Sequence, residues 1–373
     1  MGRRNATIAG PLIEDTPPTA DELEVTLLGP GYGESIVLHL GGETWAVVDS
    51  CVTSNGTPRP LDYLTSIGID PSVAVKLIMA THWHDDHIRG MGHVVEACET
   101  AQFCCASALL KSEFLTIVNS LEGRAQPGIS HGAREIHRVV SCLRERRSTP
   151  IFAAADRRIF MGSTSEIWSL SPSDAAFTRF LTDIGQLVPK VGKARDRVSP
   201  LKPNDAAVVC WVSVNGTAIL LGSDLERKGW IEILQSTARP TGKAAVFKIP
   251  HHGSSNAHEP KVWQKMLETD ATAALTPWHR GGHSLPKVAD VKRILSLTRN
   301  AYATASAQMP KSQVRRRNHA VQRTLKEGGM TIRQTPISTG MVRLRRKLNQ
   351  SASWQVQLAG SARHLTEMVD QVA

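Results

Sequence analysis

His82-Trp83-His84-Asp85-Asp86-His87 places three imidazoles and a free carboxylate within six consecutive residues. Few structural roles call for that density. The preceding run Val73–Ala80 (VAVKLIMA) is apolar and β-branched and reads as a buried strand, while Gly90–Ala97 (GMGHVVEA) reads as a helix start. The cluster therefore lies on a strand-to-helix loop. On such a loop His82 and His84 can face one side and Asp86 and His87 another, which offers two adjacent divalent sites with borderline nitrogen and oxygen ligands. H-x-H-x-D-H is a strong motif at this spacing, and a merely solvated polar loop is the competing reading.

Working outward, the second half of the chain supplies further donors. Leu220-Leu221-Gly222-Ser223-Asp224 reads as a strand ending in a carboxylate, and Phe247-Lys248-Ile249-Pro250-His251-His252-Gly253-Ser254 as a strand ending in two imidazoles. Taken singly, Asp224 suits a capping residue and His251 and His252 suit a polar loop. If both halves of the chain form one sandwich, all these strand ends converge beside His82–His87.

The organisation permits this. Glu24–Leu28, Ser35–Leu40 and Thr44–Asp49 are short apolar or alternating segments separated by Gly29-Pro30-Gly31 and Gly41-Gly42, the pattern of an antiparallel meander. Helices are expected near 89–98, 106–121, 132–147 and Ser173–Ile184, and strands at Pro150–Ala154, Ile167–Leu170, Ala207–Val214, Ala218–Leu221 and Ala244–Ile249. The Lys/Arg/Pro-rich stretch 188–203 reads as a loop. Residues 1–22 read as a flexible leader, 23–346 as one domain and 347–373 as a C-terminal extension. There is no solenoid-type repeat.

With these segments in order, the chain resembles the metallo-β-lactamase superfamily, and within it the hydrolase domain of ComEC-type DNA-uptake proteins. LLGPGYGESIVLHL with AVVDS resembles the opening hairpin and its terminal aspartate, Asp49; THWHDDH resembles the signature metal motif. LKPNDAAVV and AILLGSDLE resemble the strand pair leading to a bridging aspartate, Asp224; FKIPHHGSSN resembles the His-His-Gly-Ser motif, and WHRGGHSLP the later segment with Gly282 and His283. The resemblance implies an α/β fold, an αββα sandwich of two mixed sheets flanked by helices, with a binuclear site for two divalent metal ions, Zn2+ or Mn2+. His82 and His84 would hold the first ion, Asp86, His87 and His251 the second, and Asp224 both, with Asp49 and Asn204 in supporting positions. Ions about 3.5–4 Å apart would share a hydroxide that attacks phosphorus or a carbonyl. Asp86, His252 and His283 are the catalytic candidates beside it. Where the superfamily places a further histidine, this chain has Asn204-Asp205; an amide oxygen is a weak zinc ligand, so the first ion would be loosely held, completed by water or preferentially manganese.

Composition narrows the class. The 373 residues are 41% hydrophobic, enough for one large core. No run of 18 apolar residues and no signal-peptide pattern is present, so a cytoplasmic protein with no membrane partner is expected. The six cysteines show no paired C-x-x-C spacing and read as reduced core residues. The net charge is +10, and residues 313–350 hold ten bases against one acid. A basic surface near a hydrolytic site concentrates polyanions, so nucleic acid is the expected partner, with Arg315, Arg316, Arg317, Arg345 and Arg346 as contact candidates. A phosphodiesterase or nuclease acting on DNA or RNA is the first functional reading. The second is a hydrolase of a small nucleotide, lactone or ester, and the third a non-catalytic subunit working with partner proteins.

Overall fold

The computed structural model describes residues 16–30, 33–106, 130–187, 203–280, 283–306, 323–324, 339–348 and 353–370. Its described strands form two eight-stranded mixed sheets and one small hairpin. In the first sheet, β1 (Glu22–Gly29), β2 (Ser35–His39) and β3 (Trp45–Val48) make the antiparallel meander, and β4 (Val75–Ala80), β5 (Gln102–Ala106) and β6 (Ile151–Ala153) continue it in parallel. The second sheet repeats the pattern. β7 (Arg157–Met161), β8 (Ser165–Ser169), β9 (Cys210–Val214) and β10 (Thr217–Leu221) are antiparallel; β11 (Ala244–Lys248), β12 (Leu267–Leu275) and β15 (Ala301–Ala303) follow in parallel. The remaining hairpin pairs β13 (Trp278–Arg280) with β14 (His283–Leu285).

The central strands are apolar on both faces because both faces are covered. Along β10, Ile219 and Leu221 join the core between the sheets, and Ala218 and Leu220 join a second core beneath the outer helices. The outer core is built on Trp230, Phe247, Val262 and Ile294, from the helices Arg227–Gln235, Pro260–Met266 and Val288–Leu295 and from β11. On the far side of the first sheet, Tyr63, Leu64, Val94, Val95, Ile136 and Val139 bring the helices Arg59–Ser66, Met91–Ala97 and Ser130–Glu145 onto the core. The layers are helix, sheet, sheet, helix, the αββα sandwich of two mixed sheets that was expected.

Several expectations shift. Val73 and Ala74 end a short helix (Pro71–Ala74) before β4 begins, because Pro71 and the Asp70 side chain start a helical turn there. The 106–121 helix and almost all of the 188–203 loop lie outside the described residues. The boundary drawn at 346 is not a structural one: β16 (Gly340–Lys347) pairs with β1, β17 (Gln355–Gly360) pairs with β16, and β18 (Arg363–His364) pairs with β15. The segment expected as an extension thus supplies the last strand of each sheet.

The basic segment is also partly interior. β1 and β16 run antiparallel with Glu24 opposite Arg345 and Thr26 opposite Arg343. Glu24 is fully buried, and its carboxylate accepts from Arg345 Nε at 2.7 Å and from the Tyr63 hydroxyl at 2.5 Å. Arg343, fully buried too, donates to Gln357 Oε1 at 2.6 Å. A guanidinium tied into the sheet interior is not available to a polyanion, so Arg345 is removed from the nucleic-acid contacts. Arg346 is half-buried, with its guanidinium over the Trp354 ring at 6.0 Å. Arg315, Arg316 and Arg317 lie outside the described residues. Among the described residues no helix is long and apolar enough to cross a membrane, and all six cysteines are buried and unpaired.

Candidate metal centre

The parallel strands of both sheets end at one edge, and the loops leaving them carry the donors. β3 delivers Asp49, β4 delivers Thr81 to His87, β10 delivers Asp224, and β11 delivers His251 and His252. The backbone bends sharply here. Asp49, Ser223, His251 and His252 have φ of 59°, 47°, 48° and 54°, values that cost a non-glycine residue about 1–3 kcal/mol and that gather where a site demands them. Gly33 (φ 121°) permits the closest approach, since a Cβ there would stand 2.0 Å from the Asp86 carbonyl oxygen. That approach brings Glu34 N to the same carbonyl at 2.8 Å.

Five side chains from three loops converge. His87 Nε2 lies 3.4 Å from Asp224 Oδ1 and 4.0 Å from Asp86 Oδ2; His252 Nε2 lies 3.3 Å from Asp86 Oδ2 and 3.6 Å from Asp224 Oδ2. His82 Nε2 stands 3.9 Å from Asp224 Oδ2 and 3.1 Å from His84 Nδ1. Donors sharing one tetrahedral ion at ~2.0–2.2 Å stand about 3.3–3.5 Å apart, so these separations suit a metal. Among the described residues, three triplets have ligand atoms all within 4.8 Å of one another: His82, His87 and Asp224; Asp86, His87 and His252; and Glu34, Asp49 and His87.

The far sides of the rings are fixed, as metal-binding imidazoles require. His87 Nδ1 bonds Asp49 Oδ2 at 2.7 Å, His252 Nδ1 donates to the Thr276 carbonyl at 2.9 Å, and His82 Nδ1 meets Thr81 Oγ1 at 3.0 Å. Each Nε2 is thereby turned into the centre. His87 Nε2 and Asp224 Oδ1 are buried there with no hydrogen-bond partner. Orphaned buried polar atoms are costly and rare, and a cation is the species that both a carboxylate oxygen and an imidazole nitrogen accept.

Burial and crowded opposite charges shift the groups of the cluster in opposite directions. Burial raises the Asp49 carboxyl above its ordinary range despite His87 beside it. Burial pulls the same way on Asp224, yet the His87 and His252 imidazoles and Lys248 hold it well below that range. His82 is pushed well below the usual imidazole value by burial and by its neighbours His87 and His84, which keeps it neutral and ready to ligate. His87 goes well above: burial opposes its charge, but Asp224, Glu34 and Asp49 prevail.

Other expected residues stand apart. His251 is turned aside, its Nδ1 4.0 Å from Glu226 Oε1, and His252 is the neighbour that reaches Asp86 and Asp224. A local reversal explains this: both histidines sit in the left-handed region, so the chain doubles back and the second ring, not the first, enters the centre. His84 borders the cluster through His82. Asn204 is buried with its Oδ1 unpartnered, in a turn followed by Val208, whose N donates to the Thr81 carbonyl at 3.1 Å. His283 is exposed on the β13–β14 hairpin, and Gly282 lies outside the described residues.

Sequence reading missed Glu34, Lys248 and Trp278. Lys248 gave the clearest signal, being a lone charge in a strand buried on both faces; it contacts Glu34 and donates to the Ser223 carbonyl at 3.1 Å. Trp278 lies nearly parallel to His252 at 6.4 Å between ring centroids.

A family model described as Metallo-beta-lactamase superfamily matches residues 28–113. That span includes Glu34, Asp49 and the His82–His87 loop; Asp224 and His252 lie beyond it. The match agrees with the two mixed sheets flanked by helices and covers the donors of the first half alone. No curated protein matches the chain by sequence. Similar solved structures include a hydrolase of the beta lactamase superfamily, AbOPH (11% identity, 56% of this chain and 72% of that one, TM-score 0.35). Two others are BJP-1, a subclass B3 metallo-beta-lactamase of Bradyrhizobium japonicum (13%, 56% and 64%, 0.31), and Zn(2+)-bound PqqB from Methylobacterium extorquens (9%, 59% and 60%, 0.30).

Proposed function

We propose that the chain is a metal-dependent phosphodiesterase or nuclease that acts on DNA or RNA. One observation carries the hydrolytic part: the unpartnered His87 Nε2 and Asp224 Oδ1, buried among Asp86, His82 and His252, whose outer ring nitrogens are all anchored. Those residues would hold two divalent ions, zinc or manganese, with His84 at the side of His82. When bound, the ions supply a Lewis acid and an activated water at neutral pH.

The chain's own groups then divide the remaining work. Asp49 and Thr81 fix the histidine tautomers. The site-facing Nε2 of His252 and the Asp86 carboxylate stand 3.3 Å apart, close enough to hold one ion between them. Asp86, with 24% of its side chain exposed, is the carboxylate open to substrate. Buried, unpaired thiols suit the reducing cytoplasm.

The polyanion part of the reading is supported by the net charge of +10, by Arg315, Arg316 and Arg317, and by the ComEC-type form of FKIPHHGSSN. The small-substrate reading is favoured by a specific observation: Arg343 and Arg345 are interior, and Lys347 pairs with Asp21 at 3.0 Å. Reversing the charge of Arg315, Arg316 and Arg317 together separates the two. Nucleic-acid binding should weaken and its salt dependence flatten by about three phosphate contacts at most, while hydrolysis of a small chromogenic phosphodiester stays unchanged. Parallel loss of both activities would assign the arginines to the fold. If neither falls, the small-substrate reading is the better one.

A further inference from the structure

Lys248 and Glu34 form a buried ion pair that joins the two sheets behind the metal centre. The Lys248 side chain is 3% exposed, and its Nζ touches Glu34 Oε1, donates to the Ser223 carbonyl at 3.1 Å and stands 3.9 Å from Asp224 Oδ1. Glu34 is 2% exposed and reaches the outer nitrogens of both site histidines, with Oε1 3.7 Å from His87 Nδ1 and Oε2 3.9 Å from His252 Nδ1. Its backbone is pinned to the metal loop through the Asp86 carbonyl. The carboxylate is therefore fixed from the first half of the chain and the ammonium from the second.

We propose that Glu34 is a positioning residue that holds the Lys248 ammonium back from Asp224, so that Asp224 Oδ1 stays open to a divalent ion. The inference rests on the metal-centre reading above. Lys248 ends a strand covered on both faces and cannot turn to water. Without the Glu34 charge, its nearest carboxylate is Asp224, and closing from 3.9 Å to a charge-assisted hydrogen bond of about 2.8 Å is a movement of about 1 Å. That bond would occupy the unpartnered Asp224 Oδ1 and compete with the metal for it. Removing the lysine has the opposite effect, since it takes away the competing ammonium and makes the centre more negative. Loss of Glu34 and loss of Lys248 thus change metal affinity in opposite directions, whereas a purely structural pair would move it in the same direction.

The test is zinc titration of the full chain after chelator treatment, with a thermal melt of each protein. Wild type, Glu34→Gln, Lys248→Met and the double variant are compared. Glu34→Gln should bind zinc about tenfold or more weakly, the size typical of losing a residue that orients a ligand. Lys248→Met should bind as tightly as wild type or tighter, and the double variant should return to within about threefold of wild type, because the neutral pair no longer presents an ammonium to Asp224. Wild-type affinity in Glu34→Gln, or a double variant no tighter than Glu34→Gln, overturns the proposal. If Glu34→Gln does not fold, Lys248→Met decides alone, since a tenfold weakening there overturns it. A wild-type protein that binds no zinc removes the metal-centre reading itself, a failure distinct from these.

Discussion

Asp49 and Asp224 occupy the same place in the two halves of the sandwich, and their fates differ. Each follows the last antiparallel strand of its half, β3 or β10, beside a parallel partner, β4 or β11. Asp49 is saturated: Oδ1 accepts from Thr81 N at 2.8 Å, and Oδ2 accepts from Thr81 Oγ1 and from His87 Nδ1 at 2.7 Å each. Asp224 Oδ1 has no hydrogen-bond partner although three imidazoles surround the carboxylate. Topology delivers a carboxylate to the centre twice, and the neighbours decide its use. The first orients a ligand; the second is free to be one.

The largest expected effect tests that division. Asp224→Asn should lose metal and lower hydrolysis by at least about a thousandfold, because the shared ligand and several kcal/mol of transition-state stabilisation go with it. Asp49→Asn should lose about 10–100-fold, the effect of disturbing an outer partner of a ligating histidine. Metal analysis and turnover of the two variants side by side check this. Equal losses would erase the distinction between ligand and orienter.

The next effect is on stability and concerns the first sheet alone. Arg345→Ala leaves Glu24, fully buried, without its cationic partner, which costs about 3–5 kcal/mol when a buried pair is broken from one side. Denaturant unfolding measures it. A change below about 1 kcal/mol would place Arg345 on the surface and restore it to the polyanion track.

A smaller effect separates adjacent histidines of the second half. His252→Ala should weaken metal binding about 10–100-fold, while His251→Ala should leave it within a few-fold, since only His252 is held by Thr276 and reaches Asp86 and Asp224. The reverse ranking would return His251 to the ligand set.

That pair also marks how far sequence reading reaches. Strand ends, their order and the H-x-H-x-D-H spacing are local patterns, and they place the first-half donors and Asp224 on one edge without coordinates. Which of two consecutive imidazoles turns inward depends on two successive residues with positive φ, and no side-chain pattern announces that. Glu34 escaped notice because it lies in a glycine-rich turn far from His82 in sequence, and only packing of Gly33 on Asp86 brings it in. The basic run around Arg343 and Arg345 was legible as charge but not as strand, because its acidic partner, Glu24, sits more than 300 residues earlier. β18 was missed for a related reason, since it is an edge strand paired with the distant β15, and β17 forms a hairpin with β16, whose other partner, β1, lies at the far end of the chain.

The smallest effect per residue comes from the thiols, and it weighs on the two halves unequally. Cys51, Cys98, Cys104, Cys105 and Cys142 precede β7, and Cys210 alone belongs to the later strands. Burial pushes Cys51, Cys98 and Cys104 each from 9.0 up to about 12, and Cys105 and Cys210 well above 9.0. A folded-state value raised above the unfolded one means that the unfolded chain releases its protons first as pH rises. Stability from these groups is therefore fully present below about pH 9 and is lost above it, by roughly 1.4 kcal/mol per thiol by pH 10. Denaturant midpoints should be flat from pH 7 to 8.5 and fall steeply beyond, and hydrogen exchange at pH 10 should open the first sheet before the second. A thiol reagent should find none of the six cysteines until that opening. Equal opening of both sheets would mean that the asymmetry lies only in the metal centre, and a midpoint unchanged at pH 10 would mean that the thiols meet solvent.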